Sequence, residues 1–178
     1  MSDQCDVLAG VPQGTVLGPL LFLIYINDLN SQLDCFKISY ADDLTVVAQL
    51  EYASVSVELQ KDLCRINRWS YQNGIRINAS KSCVMRISHK RKPGAPYYSY
   101  GDTELPIVTN TNILGVMFDK KLDWKLQIES VMSKSRRMLG FCFRHTKEAG
   151  PDAFRVLYSS LVLSVVENCN LVWYPASI

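Results

Sequence analysis

After Pro19 the chain runs LLFLIYINDL, an apolar stretch closed by Asn27 and Asp28. Proline suits a first helical turn, where its missing N–H costs nothing. The run therefore predicts a mostly buried helix over residues 19 to 30, with a strand as the alternative that an apolar run alone leaves open. Two short segments rich in β-branched residues follow, CFKIS and LTVVA, on either side of Ala41-Asp42-Asp43. They predict an antiparallel hairpin with two aspartates at its turn. Helical spacing returns at 55 to 69, where Val55, Leu59, Leu63, Ile66 and Trp69 form a stripe and Glu58, Asp62, Arg65 and Arg68 fall off it. Asn73-Gly74 should end that helix. IRIN and SCVMRIS alternate in part at period two and predict two strands around Ala79-Ser80. ILGVMFD, residues 113 to 119, predicts another, after a short strand near 105 to 108. From Trp124 the period is helical again, with Ile128, Met132, Ser135, Leu139 and Cys142 on one face. Gly150-Pro151 breaks it, and Phe154, Leu157, Leu161 and Val165 mark a further helix. The pattern reads as an α/β (α+β) part over 1–121 and an all-helical part over 122–178, divided near 119 to 124.

Composition narrows the class. At 178 residues, with 48% hydrophobic and 20% charged positions, the chain is globular rather than disordered. Nineteen Lys and Arg against seventeen Asp and Glu give +2, which neither demands nor excludes a nucleic-acid partner. The six cysteines show no C-x-x-C spacing, and two histidines are too few to complete a zinc site with them. They read as free, mostly buried thiols of a reducing, intracellular compartment. The start, MSDQCD, has neither a basic nor an apolar leader region. The apolar stretch 16 to 26 is too short to span a bilayer. The apolar end is broken by Glu167 and two asparagines, so the expectation is a core helix and no membrane.

The chemistry centres on Asp42 and Asp43. Adjacent carboxylates on a hairpin turn offer hard oxygen ligands to Mg²⁺, which often takes one or two carboxylates plus substrate phosphates. Aspartate is also an ordinary turn residue, and on residues alone the catalytic reading leads only slightly. Lys81, beside Ser82, reads by itself as a solvent-facing lysine. The basic runs Lys90-Arg91-Lys92 and Lys134-Ser135-Arg136-Arg137 read equally as solvated faces. The first stands beside Tyr97, Tyr98 and Tyr100, a mixture that suits nucleic-acid contact by charge and stacking or a plain surface loop. Trp69, Trp124 and Trp173 read as packing residues.

The longer motifs change the balance. AGVPQGTVLGPLLFLIYINDL followed by YADD, then ASKSCVMRIS, NILGVMFDKKLDW and a helical end with NLVW, resembles the reverse transcriptases of non-LTR (LINE-like) retrotransposons of animals. The resemblance covers essentially the whole chain. It implies part of a right-hand polymerase: a palm with an antiparallel catalytic hairpin, then a thumb-like helical unit. Carried onto this sequence, Gly10, Val11, Pro12, Gln13 and Gly14 resemble the loop near nucleotide and template. Tyr40, Ala41, Asp42 and Asp43 match the catalytic box, with Asp42 the main metal ligand and Asp43 its partner. Lys81 matches a lysine near the triphosphate that would protonate pyrophosphate. Leu114 and Gly115 resemble the start of the primer-gripping turn. The implied cofactor is Mg²⁺ (or Mn²⁺), and the implied partners are an RNA template, a DNA primer and deoxynucleoside triphosphates.

One departure stands against this. The family places a further metal-binding aspartate on a palm strand upstream of GVPQG, and only nine residues precede Gly10 here. Asp3 and Asp6 lack the apolar strand context of that motif. The expectation is a C-terminal part of the polymerase domain, inactive as an isolated polypeptide, since losing one electrostatic contributor costs roughly 10²-fold or more. A non-catalytic nucleic-acid-binding remnant and a domesticated interaction protein are the alternatives.

Overall fold

The structure, a computed structural model, describes residues 14–50, 56–90 and 97–173. It shows a mixture of helices and small antiparallel strand pairs, divided into two compact units. One holds residues 14–84 and 97–106; the other holds 85–90 and 107–173.

In the first unit, helix α1 spans Gly18–Ser31, with proline in its first turn and the Thr15 hydroxyl accepting the Gly18 N–H at 3.1 Å. Strands β1 (Phe36–Tyr40) and β2 (Asp43–Val47) form the expected hairpin. Helix α2 spans Val57–Gln72. The Ser56 hydroxyl caps it by accepting the Leu59 N–H, and left-handed Gly74 follows its Asn73 end. The core is Leu29, Leu33, Ile66 and Trp69, with Ile26, Leu44, Val46 and Leu63 packed around it. Trp69 is 1% exposed and donates its indole N–H to Asp28 at 3.1 Å.

Helix α1 is not mostly buried. Only Gly18 and Leu29 are enclosed, while Leu20, Leu21, Leu23 and Ile24 stand in solvent. The reason is geometric: LLFLIYI is apolar around the whole helix, and only the side that meets the core is covered.

The stripe on α2 is also rotated from the expected one. Asp62, Ile66 and Trp69, spaced i, i+4, i+7, are buried together with Ser70, so Asp62 lies on the inner face. Val55 lies outside the described residues. IRIN is not a strand. Ile75 and Ile77 instead turn into the core, the Ser70 hydroxyl donates to the Ile75 carbonyl, and Asn78 caps a 3₁₀ turn over Ala79–Lys81. Of SCVMRIS only β3 (Val84–Met85) is a strand, and β6 (Ile107–Val108) belongs to the second unit. Between them in sequence, β4 (Ser99–Tyr100) and β5 (Thr103–Glu104) form a minimal hairpin. Gln60 holds it through its side-chain amide, accepting from the Ser99 N–H at 3.1 Å and donating to the Ser99 carbonyl at 3.0 Å.

In the second unit, β7 (Asn110–Ile113) and β8 (Val116–Asp119) pair through a turn at Leu114-Gly115. Residues 113 to 119 are therefore the last residue of one arm, the turn and the other arm of a hairpin rather than a single strand. Both turn residues have positive φ, 49° and 87°, the combination that matches strand twist in a two-residue loop. Helix α3 (Lys125–His145) follows, then α4 (Gly150–Leu157), a π-helical segment over Tyr158–Leu163, α5 (Ser164–Glu167) and α6 (Asn170–Trp173). The α4 to α5 stretch packs along α3. On α3, Gln127 and Cys142 are buried and Met132 is exposed.

The units do not divide near 119 to 124. Gln127 of α3 accepts the Met117 N–H at 2.9 Å, and Phe118 meets Trp124 edge-on at 5.2 Å, so the β7–β8 hairpin packs with the helices. Among the described residues, no helix is long and apolar enough to cross a membrane.

The thiols are less buried than composition suggested. Among the described residues, Cys64, Cys83 and Cys169 are exposed, Cys35 is half-buried, and only Cys142 is enclosed. Burial, a hydrogen bond to Asp62 and the nearby Asp62, Glu58 and Asp34 charges push the Cys35 thiol up to about 11. At pH 8 its thiolate fraction should be roughly 10²-fold below that of free cysteine. Iodoacetamide labelling followed by peptide mass mapping should find Cys35 unmodified long after Cys64 has reacted. Equal labelling rates would contradict this environment.

Candidate active site

The site grows from the β1–β2 hairpin. Its register pairs Phe36 with Val47, Ile38 with Thr45 and Tyr40 with Asp43, leaving Ala41-Asp42 as a two-residue turn. Leu44 and Val46 lie against the core of the first unit. Their cross-strand partners are anchored too: the Ser39 hydroxyl donates to the Asn30 side chain at 2.8 Å, and the Lys37 ammonium to the Leu33 carbonyl at 2.6 Å. The hairpin thus stands on the C-terminal end of α1. On alternate positions Phe36, Ile38, Tyr40 and Val47 are exposed.

Ala41 has φ +50°, a left-handed conformation that costs an L-residue roughly 1–2 kcal/mol. Asp42 occupies the second turn position and Asp43 opens β2. Both side chains are exposed, and neither makes a hydrogen bond or ion pair among the described residues. Water therefore resolves the repulsion between the two neighbours, since unit charges about 4 Å apart interact by only ~1 kcal/mol in bulk water. Chemically, the turn offers hard, unshared oxygen donors to a cation.

The other expected site residues are dispersed. Gly14, at φ +78°, forms a turn just before α1, while Gly10, Val11, Pro12 and Gln13 lie outside the described residues. Lys81 ends the 3₁₀ turn, exposed, with no side-chain bond to Asp42 or Asp43 among the described residues. Leu114 and Gly115 form their own turn in the second unit, where the Asn112 side chain accepts the Gly115 N–H at 2.8 Å. Tyr98 is 3% exposed, and its hydroxyl accepts the Ser56 N–H at 2.8 Å; Tyr100 packs on the core. The Tyr98 ring is therefore not free to stack, Tyr100 is half-buried, and Tyr97 is exposed.

Asp62 was not legible as a special residue. Wholly buried, it accepts the Cys35 N–H at 2.8 Å and the Asp34 N–H at 3.0 Å, and it receives Arg65 at 2.7 Å. Arg65 also reaches Asp34 at 2.6 Å. This clamp fixes the turn that leads from α1 into β1. Burial pushes the Asp62 carboxyl up, and the donors from Cys35, Asp34 and Arg65 more than offset it, holding it below the usual range.

The hairpin lies inside the span, residues 3–143, that matches the family model for reverse transcriptase (RNA-dependent DNA polymerase). The chain belongs to the reverse transcriptase family. It is 29% identical over 76% of its length to a probable RNA-directed DNA polymerase from transposon X-element of Drosophila melanogaster. It is 26% identical over 98% of its length to a putative 115 kDa protein in type-1 retrotransposable element R1DM of the same species. A third relative there, the RNA-directed DNA polymerase from mobile element jockey, is 27% identical over 73% of the chain. This reverse transcriptase chain spans 16%, 18% and 15% of those proteins, respectively. No solved structure matches it.

Proposed function

We propose that this chain carries the catalytic turn of an RNA-directed DNA polymerase of a non-LTR retrotransposon. The observation that supports the reading is a pair of adjacent, exposed carboxylates, unpaired among the described residues, at the tip of a hairpin within the span that matches the family. In this reading the first unit contributes palm structure and the helices from residue 122 contribute the thumb. The exposed apolar surface of α1 and β1 is surface that a larger polymerase would cover.

Asp42 is the principal ligand for Mg²⁺ or Mn²⁺ and Asp43 its partner. The donor set suits a hard divalent ion in part: it provides carboxylate oxygens, but no group of three or more potential metal ligands stands together among the described residues. The remaining ligands would come from substrate phosphates and from groups elsewhere. Such an ion, when bound, polarises the primer 3′-hydroxyl and neutralises charge on the phosphates. The chain's own residues do the positioning. The anchored hairpin holds the carboxylates, Tyr40 and Ala41 flank the nucleotide, and Gly10 to Gly14 border nucleotide and template. Lys81 supplies a proton toward the leaving pyrophosphate. Leu114 and Gly115 hold the primer end. The template is RNA, the primer DNA and the substrates deoxynucleoside triphosphates. The 178-residue polypeptide by itself should bind metal weakly and not polymerise.

Calorimetric titration with Mn²⁺ tests the ligand assignment. The wild type should show weak binding that a D42N/D43N double variant loses. Equal affinity in both would remove these residues from the metal site.

A further inference from the structure

A second feature of the chain lies on the outer face of α3. Phe143 is 61% exposed although its ring is fixed from behind. Its centroid lies 4.9 Å from that of Phe154, which in turn stacks on Tyr158 at 6.0 Å and 21°. The three rings form a ladder with its open end in solvent. Rotation by 100° per residue puts Arg136 within about 20° of Phe143 on the helix wheel, and exposed Lys147 follows just past the end of the helix. The Arg144 guanidinium folds back over Gly140, its Nη1 3.4 Å from where a Cβ would stand, so a missing side chain lets it lie along this face. Arg136, Arg144 and Lys147 form no ion pair among the described residues, and Glu129 is the only acid on α3.

An exposed, rigidly backed phenyl ring among unpaired cations is poorly suited to an apolar protein surface, which would strip water from those cations without replacing it. It suits an anionic polymer with free aromatic faces. We propose that Phe143 is a stacking platform for a base of single-stranded nucleic acid, with Arg136, Arg144 and Lys147 neutralising the adjoining phosphates. The inference rests on the nucleic-acid reading above and adds a site to it. A base in a duplex has its faces covered by neighbours, so an unpaired strand is the ligand the ring selects.

The test is fluorescence anisotropy of the full 178-residue chain with a labelled oligouridine strand across a salt series. F143A and F143L should each weaken binding about tenfold, the scale of one lost base stack. Their dependence on log salt should stay unchanged, because no phosphate contact is lost. F143W should bind like the wild type. R144Q should lower the salt slope by about one. F143L, which keeps apolar packing against Phe154, separates stacking from simple loss of fold, and circular dichroism checks the helices. Wild-type affinity in F143L, or failure of F143W to retain binding, overturns the platform alone. A wild-type chain that binds no strand overturns both the platform and the nucleic-acid reading beneath it.

Discussion

Replacing Asp62 by alanine should lower the unfolding free energy by about 3 kcal/mol. The substitution leaves the Asp34 and Cys35 N–H groups without their acceptor, and each unsatisfied buried donor costs about 1–3 kcal/mol. It also frees Arg65 from one of its two carboxylate partners. The sign of the pH dependence follows from the depressed carboxyl. The folded protein holds the Asp62 proton less tightly than the unfolded chain does. The stabilisation is therefore complete above the ordinary aspartate value of about 3.9 and is lost as pH falls through the lower folded value. Denaturant unfolding of wild type and D62N between neutral and strongly acid pH should show a steeper acid-side loss in the wild type. Part of that slope should survive in D62N, because Asp119 is also held low: burial opposes ionisation there, but the Asp123, Lys121 and Leu122 N–H groups outweigh it. An acid-side slope in D62N equal to that of wild type would mean that the clamp does not work as a carboxylate.

The elements whose evidence is local were legible in the sequence. The β1–β2 hairpin follows from β-branched flanks around a turn pair, and α2 from its spacing and the Asn73-Gly74 stop. Gly150-Pro151 opens α4 as expected, although the helix that follows is interrupted by a π-helical turn that no periodicity signals. What the sequence hid depends on long-range partners. Asp62 looked solvent-facing because charge outweighed its i, i+4, i+7 relation to Ile66 and Trp69, and only the turn before β1 explains its burial. IRIN alternates like a strand, yet its two isoleucines pack on the core of the first unit from a loop. The exposure of α1 was hidden for the converse reason: composition shows that a surface is apolar, not whether anything covers it. The carboxylate pair was visible as residues, and its significance came from the longer motifs around it.

The second large effect concerns those carboxylates. In a polypeptide that joins these residues to an upstream palm segment from the X-element relative, D42A should reduce primer extension by at least roughly 10²-fold. Nucleotidyl transfer depends on ligands fixed before the reaction, and removal of one preorganised electrostatic contributor already costs about 10²–10³ in rate. Asp42 sits in a turn anchored through Ser39 to Asn30 of α1 and through Lys37 to the Leu33 carbonyl just past it, so on the proposed assignment its loss would remove a held ligand while leaving the hairpin's anchors in place. Folding controls on D42A should therefore match wild type, which distinguishes lost chemistry from lost structure. The most direct measurement is RNA-templated DNA primer extension in Mg²⁺ or Mn²⁺ with three proteins side by side: the 178-residue chain, the joined polypeptide and its D42A variant. The account predicts incorporation by the joined polypeptide alone. Incorporation by the isolated chain, or undiminished extension by the D42A variant, would contradict it.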